Sequence, residues 1–487
     1  MLTHKLKTQI KMLLLMLSLG IAGIANATTY YFSSSTGDDS RTAAQAQNAA
    51  TPWKTLSKLN SFFSSLNAGD NVLFLRGDIF PGTITPTKDG TLGSPITFSA
   101  YGTGAKPIIS GFTTVPSWTN LGSNIWESTS TVSGLSSLNM VVINGTNTPM
   151  GRYPNTGYMA YQSSTASSIT SSSLTGSPNW TGAEAVMRMY RWVIDRNPIN
   201  SQSGGTLNFT DNDPDYDPTN GFGFFIQNDV RTLDTQNEWY YNPSTKKLRI
   251  YSISTPANVQ VATVTNLVSI STKDYLTFDN LSLQGANERA VYCNGGNKVT
   301  IQYCDILYSG TDAVYSYPNA PNIKVQYCNI NNSNNSAIDL GNSDAGIIQH
   351  NTINNTGVFP GMGNYTNSTF TAVVAKGDFS DISYNHIDTA GYNGIYFAGS
   401  GTNVRYNYIN YVCFNKDDGG GIYCYPLQGV GQTYASKRTV QGNTVLNSIG
   451  ALESATGSQS NGHLIYNDGA DDNTDYIDNT IDRKSVV

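Results

Sequence analysis

Between Leu276 and Ile481 apolar and polar positions return as one short phrase: apolar, any, aromatic or small, Asn/Cys/Asp, any, Ile/Leu/Val. Its fourth position falls on Asp279, Cys304, Cys328, Asn351, Asn385, Asn407, Asn443 and Asn479. A second phrase lies between most of these, at Ala290-Val-Tyr292, Ala313-Val-Tyr315, Ala337-Ile-Asp339, Gly394-Ile-Tyr396, Gly421-Ile-Tyr423 and Leu464-Ile-Tyr466. Two short strands per two dozen residues, with turn residues between, predict the coils of a solenoid. Val291, Val314, Ile338, Ile395, Ile422 and Ile465 should point inward and stack on the next coil. The longer intervals read as coils with a loop let out. The fold class is therefore all-β, a parallel β-helix, with right-handed crossovers as parallel connections prefer.

Upstream, Tyr30-Tyr-Phe32 and Val72-Leu-Phe-Leu75 read as strands. Thr51-Pro52 predicts a helix start with Thr51 as cap, and Leu56, Leu59, Phe62, Phe63 and Leu66 share one helical face. Such a helix is expected to cap the open end of the solenoid. Residues 113–262 break the period and hold five of the six tryptophans, which predicts a β-rich insertion. The expected divisions are a signal peptide (1–27), cap and first coils (28–112), insertion (113–262), coils (263–481) and a tail (482–487). That tail, Asp482-Arg-Lys-Ser-Val-Val487, resembles sequencing-adaptor read-through, and the natural chain is expected to continue.

Charge is low, while Gly, Ser, Thr, Asn and Tyr abound, as suits β structure with polar turns. A net charge of −6 argues against nucleic acid or an anionic membrane as partner. Lys5, Lys7 and Lys11, the apolar run Met12–Ile24 and Ala25-Asn26-Ala27 have the form of a cleavable signal peptide. The run is too short for a membrane span. A secreted or periplasmic monomer is expected. The odd count of five cysteines leaves at least one thiol free; Cys304 and Cys328 fit buried thiols in the Asn column, and a Cys413–Cys424 bridge is open.

Pro52-Trp-Lys-Thr-Leu56, Gly69-Asp-Asn-Val72, Arg76-Gly-Asp78 and Tyr101-Gly-Thr-Gly-Ala-Lys-Pro107 resemble the opening of secreted β-helix proteins of the pectate-lyase-like superfamily. Asn144-Gly145, Gly151-Arg-Tyr-Pro-Asn155, Leu233-Asp234 and Glu238-Trp-Tyr-Tyr-Asn242 resemble the insertion of β-helical glycoside hydrolases of the family-141 and family-120 type. That resemblance implies cleavage of xylosidic or fucosidic bonds.

Glycoside hydrolysis needs two carboxyl groups flanking the bond, about 5 Å apart for retention and about 6.5–9.5 Å for inversion. Stacked coils about 4.8 Å apart supply such pairs. Lys416-Asp-Asp-Gly-Gly-Gly-Ile-Tyr423 resembles the Asp-x-Gly-x-Ile-Tyr phrase of the family, with Asp418 in the Asp position. Ile465-Tyr-Asn-Asp-Gly469 resembles its Ile-Tyr-Leu-Asp-Asp phrase, with Asp468 retained and Gly469 in place of the second Asp. Asp418 and Asp468 are the expected pair, although Asp418 precedes its strand and Asp468 follows its own. Asp417 and Glu453 are the alternatives. The bland reading leaves these acids shaping turns. Tyr396, Tyr423 and Tyr466, in one column with Tyr292 and Tyr315, offer a sugar-stacking platform or a stiffening stack. His463 and Arg152 complete the expected substrate contacts, while His350 and His386 are expected to be structural. Asp211 to Asp217 lacks the Gly and Glu of a calcium loop and is expected to be solvated. No metal ligand set or cofactor is expected.

The function expected is hydrolysis of a complex polysaccharide. One rival is β-elimination of a uronate polymer, which would call for calcium and a base such as Lys376, Arg405, Lys416, Lys437 or Arg438. A polygalacturonase-type order is missing, because Asn473-Thr-Asp475 follows Asp417-Asp418 and Gly462-His463. The other rival is a non-catalytic carbohydrate-binding or surface solenoid.

Overall fold

From Leu276 onward each turn of the chain lays its short strands on those of the turn before. The computed structural model describes residues 27–482 except 318–319, 365–367, 427–433 and 470–472. The expected signal region (residues 1–26) and tail residues 483–487 lie outside the described residues. One parallel sheet runs in register through Phe98, Phe278, Ile301, Val325, Ile348, Ile382, Val404 and Val440. A second column runs through Leu283, Ile306, Ile330, Ile353, Ile387, Ile409 and Val445. A third runs through Val291, Val314, Ile338, Val373, Ile395, Ile422 and Ile465. Nearly all of these side chains are fully buried, each worth roughly 1.5–3 kcal/mol against exposure. Val373-Val-Ala375 supplies the second phrase of the long coil between Ile338 and Ile395, a strand the repeat pattern did not name.

The fourth position of the phrase forms a file of buried amides. Asn351 donates to Val325 O at 2.9 Å and to Asn385 Oδ1 at 3.0 Å. Asn385, Asn407 and Asn443 repeat both bonds on the following coils. Cys304 and Cys328 take the same column, their thiols directed at Phe278 O and Ile301 O at 3.6 and 3.7 Å. All five cysteines are buried and free, so Cys413 and Cys424 are not bridged. The Cys424 sulfur instead meets the Arg438 guanidinium at 3.0 Å.

The third position makes the bend. Tyr303, Tyr327, His350, Tyr384 and Tyr406 all have φ between +53° and +58°. That left-handed conformation costs an L-residue on the order of 1–2 kcal/mol. Their rings stack at centroid spacings of 4.9, 4.7, 4.9 and 5.1 Å, which offsets part of the cost.

Near the N-terminus the helix runs Leu56–Phe62 and is capped by Thr55, whose Oγ1 accepts from Lys58 N at 3.1 Å. The start expected at Thr51-Pro52 is thus corrected. Trp53 bridges to Phe32 in the sheet, and Asp39 accepts from the backbone N–H of Lys54 and Thr55, so residues 52–54 stay outside the helix. Leu56, Leu59, Phe63 and Leu66 are buried in the same core as Phe74 and Phe98.

Strand Ile96–Tyr101 pairs directly with Leu276–Asp279, and between them Ile108–Ser110 and Val264–Ser271 pair with Ser282–Asn294 in the solenoid's other parallel sheet. The intervening stretch contains antiparallel sheets; one of them includes Glu184–Tyr190, Val193–Ser203 and Gly223–Gln227. Fully buried Arg188 docks it on the late coils, donating to Glu453 O at 2.7 Å and Ala451 O at 2.8 Å.

Candidate active site

Strand Gly419–Cys424 lies in register beneath Gly462–Asn467, matching Ile422 to Ile465 and Tyr423 to Tyr466. Three successive glycines make the close approach necessary. A Cβ on Gly419 would lie 2.3 Å from the Tyr392 ring, and one on Gly421 2.2 Å from Val445 Cγ1. Just before the strand, Asp418 sits at φ +59°, with its carbonyl accepting from the Tyr392 hydroxyl at 2.8 Å. A non-glycine residue fixed in that region is a point of stored backbone cost beside a cavity.

The cavity, of about 380 Å³, is lined among others by Asp418, Asp468, Tyr396, Tyr423, Tyr466 and Tyr392. Asp418 and Asp468 lie at opposite ends of their strands, yet the tyrosines cross over to them. Tyr423 donates to Asp468 Oδ2 at 2.9 Å, and Tyr466 donates to Asp418 Oδ1 at 3.3 Å. Besides burial, the charges of Asp418 and Asp468 both act on the Tyr466 phenol and raise its pKa. Burial, then the charge of Asp468, raises the Asp418 pKa, while the Tyr466 bond lowers it. Burial also raises the pKa values of Tyr392, Tyr396, Tyr423 and Tyr466, so these phenols keep their protons.

The tyrosine column is interrupted. It reads Tyr292, Tyr315, Asp339, Val374, Tyr396, Tyr423, Tyr466. Tyr396–Tyr423 and Tyr423–Tyr466 meet edge to face at 5.1 and 5.4 Å.

The other expected site residues fall elsewhere. Asp417 is fully buried and away from the cavity: Arg191 Nε donates to its Oδ2 at 2.7 Å, and Asn461 N donates to its Oδ1 at 2.8 Å. Its carboxylate ties the Glu184–Ser203 hairpin to the coil. Glu453 is exposed and faces Gly157. Arg152 is folded over Phe225, 3.6 Å from the ring centroid, and bonds Pro154 O and Gly157 O. None of the three is among the cavity-lining residues, nor is exposed His463, which packs on Tyr466 at 4.2 Å.

Trp192 and Tyr216 close the cavity from the side and were not expected there. Only the docking of the stretch that holds the antiparallel sheets brings them in, and periodicity carries no signal of docking. The segment 211–217 is accordingly half-buried at Asp211, Asp213 and Tyr216 rather than fully solvated. Behind this wall, buried Lys416 donates to Thr369 Oγ1 at 2.6 Å and faces buried Asp195. Burial lowers the Lys416 pKa and raises that of Asp195. Among the described residues no group of three or more His, Cys, Asp and Glu side chains is placed to hold a metal ion. No helix among them is long and apolar enough to cross a membrane.

Residues 250–405 match the family model for the right-handed β-helix region. A stretch of 89 residues is 44% identical to the lacto-N-biosidase of Bifidobacterium longum subsp. longum, covering 18% of this chain and 5% of that protein. The chain thus spans a small fraction of that curated relative's length. Among solved structures, one described as a glycoside hydrolase superposes with a TM-score of 0.65 at 13% identity, over 93% of this chain and 97% of the other. XylC, in complex with xylose, superposes with a TM-score of 0.51 at 11% identity, over 86% of this chain and 66% of its own. What these matches share with the chain is the fold, a right-handed parallel β-helix.

Proposed function

We propose that the protein is an exported carbohydrate-active enzyme that hydrolyses glycosidic bonds of a complex polysaccharide, with Asp418 and Asp468 as its acid pair. One observation carries this reading: two carboxyl groups from adjacent coils face a single aromatic-lined cavity, each accepting a hydrogen bond from a tyrosine of the other's strand. Asp418, whose pKa is raised, protonates the leaving oxygen. Asp468, as carboxylate, meets the positive charge developing at the anomeric carbon by attacking it or by activating a water. Tyr396, Tyr423 and Trp192 present apolar ring surface to the sugar. The names of the matched proteins, a glycoside hydrolase and a lacto-N-biosidase, support a glycan substrate. The phrases shared with the family-141 and family-120 type support a xylosidic or fucosidic bond. In the same reading, helix Leu56–Phe62 caps the solenoid and residues 113–262 are an insertion that walls the site.

Hydrolysis is favoured over β-elimination because the two carboxyl groups face into the cavity, whereas the candidate base Lys376 sits at its edge, over Tyr396. Lys416, the cation nearest in sequence, is buried behind it. Asp418→Asn and Asp468→Asn should each cut release of reducing sugar by at least roughly 10²–10⁴-fold while leaving the melting temperature within a few degrees. Turnover that survives both substitutions would remove the pair from the chemistry. Release of an ultraviolet-absorbing unsaturated uronate would replace hydrolysis with elimination.

A further inference from the structure

A second cavity, of about 320 Å³, opens on the same face, lined by Tyr315, Asp339, Asn342, Ser368 and Lys376 among others. Ser368 lines the first cavity as well, so the two adjoin. Lys376 marks the boundary: its ammonium lies 5.5 Å from the ring centroid of Tyr396, a residue of the first cavity. Along the column, Tyr315, Asp339, Val374, Tyr396, Tyr423 and Tyr466 stand on consecutive coils. Five steps of about 4.8 Å set these six positions over about 24 Å, with Val374 fully buried between the two cavities.

The chemistry of the second cavity is that of a polyol site. Asp312 is already held by Arg289 at 3.4 Å and by Asn335 at 2.6 Å. Asp339, Asn342, Ser368 and Lys376 offer acceptors and donors toward the space, and Tyr315 adds ring surface. Two cations, Arg289 and Lys376, balance two carboxylates, Asp312 and Asp339, so nothing here selects a polyanion.

We infer that the second cavity binds a further stretch of the same neutral glycan, so that the substrate is a chain of several sugars lying along the helix axis, remote units seated at Asp339 and Lys376. This rests on the glycosidase reading of the first cavity.

The test probes a printed array of neutral and acidic glycans, graded from two to eight units, with the full chain carrying Asp418→Asn. Retention of neutral glycans of four or more units, at least tenfold above their disaccharides, is expected. Adding Asn342→Trp, an exposed position whose indole would fill the space, or Lys376→Met should bring the long glycans down to the short ones. Retention independent of length, unchanged by either substitution, confined to polyanions, or absent for every glycan would overturn the inference. Hydrolysis that needs Asp418 but ignores chain length would sink the second subsite and leave the acid pair standing. Length-graded retention without any hydrolysis by the unaltered protein would do the reverse.

Discussion

Two acid pairs on neighbouring coils of the β-helix lie beside its two adjoining cavities, and the fold treats them differently. Asp312 and Asp339 stand on successive coils under a cation, since the Arg289 guanidinium lies 3.4 Å from Asp312 and 4.2 Å from the Tyr315 ring centroid. Asp418 and Asp468 have no lysine or arginine within 4 Å among the described residues and are met by phenols instead. A cation lowers the cost of two like charges by neutralising one of them. Phenols stabilise each carboxylate through a hydrogen bond and leave their mutual repulsion in place. The first arrangement suits binding. The second keeps one carboxyl ready to hold and release a proton, as an acid–base pair requires.

The comparison breaks most visibly at Arg289. Asp312 is 1% exposed, so Arg289→Met leaves a buried carboxylate without its cation, and a loss of about 3–5 kcal/mol is expected in urea unfolding at neutral pH. The loss should shrink in acid, where a protonated Asp312 no longer needs a partner. A change below about 1 kcal/mol at neutral pH would mean that the guanidinium is not what balances this pair.

Much of this contrast was legible in the chain and some of it was not. The Asn column and the inward aliphatics follow from a period that fixes which residues become vertical neighbours, whereas Asp418 and Asp468, at opposite ends of strands in register, are not such neighbours. The two acids do sit at opposite ends of their strands, and a tyrosine on each strand reaches the acid of the other. What period cannot carry is contact across the seam with residues 113–262. Trp192, Tyr216 and the Arg191 clamp that occupies Asp417 all arrive through that docking. Asp339 was visible in the tyrosine column. Its partner Asp312 lies one residue before the phrase, and only the depth of the coil reveals that both are sheltered.

Tyr466 is the next point at which to press. Its hydroxyl lowers the Asp418 pKa against the effects of burial and of Asp468. Tyr466→Phe should therefore raise that pKa and, under the proposed acid role of Asp418, carry the alkaline limb of the kcat/KM profile to higher pH. A loss in kcat/KM of roughly 10–100-fold is expected at the optimum, the equivalent of about 1.4–2.7 kcal/mol. A lower rate with an unmoved limb would reduce Tyr466 to packing.

The smallest effect concerns Asp339, whose pKa is pushed up to about 6, first by burial and then by the charge of Asp312. Between about pH 4 and 6 the folded protein holds a proton here that the unfolded chain has released. The contribution of this group to stability must therefore fall as pH rises through that window. Asp339→Asn removes the titration and keeps an acceptor for Gly341 N, which now bonds Asp339 Oδ1 at 2.8 Å. The variant should match the parent near pH 4 and exceed it by on the order of 1–2 kcal/mol above pH 6. A gap of that sign would show that Arg289 and Lys376 balance the pair only in part, with the cost concentrated on Asp339. Equal stability at both pH values would mean full balance, and the two acid pairs would then differ more sharply than the raised Asp339 pKa implies.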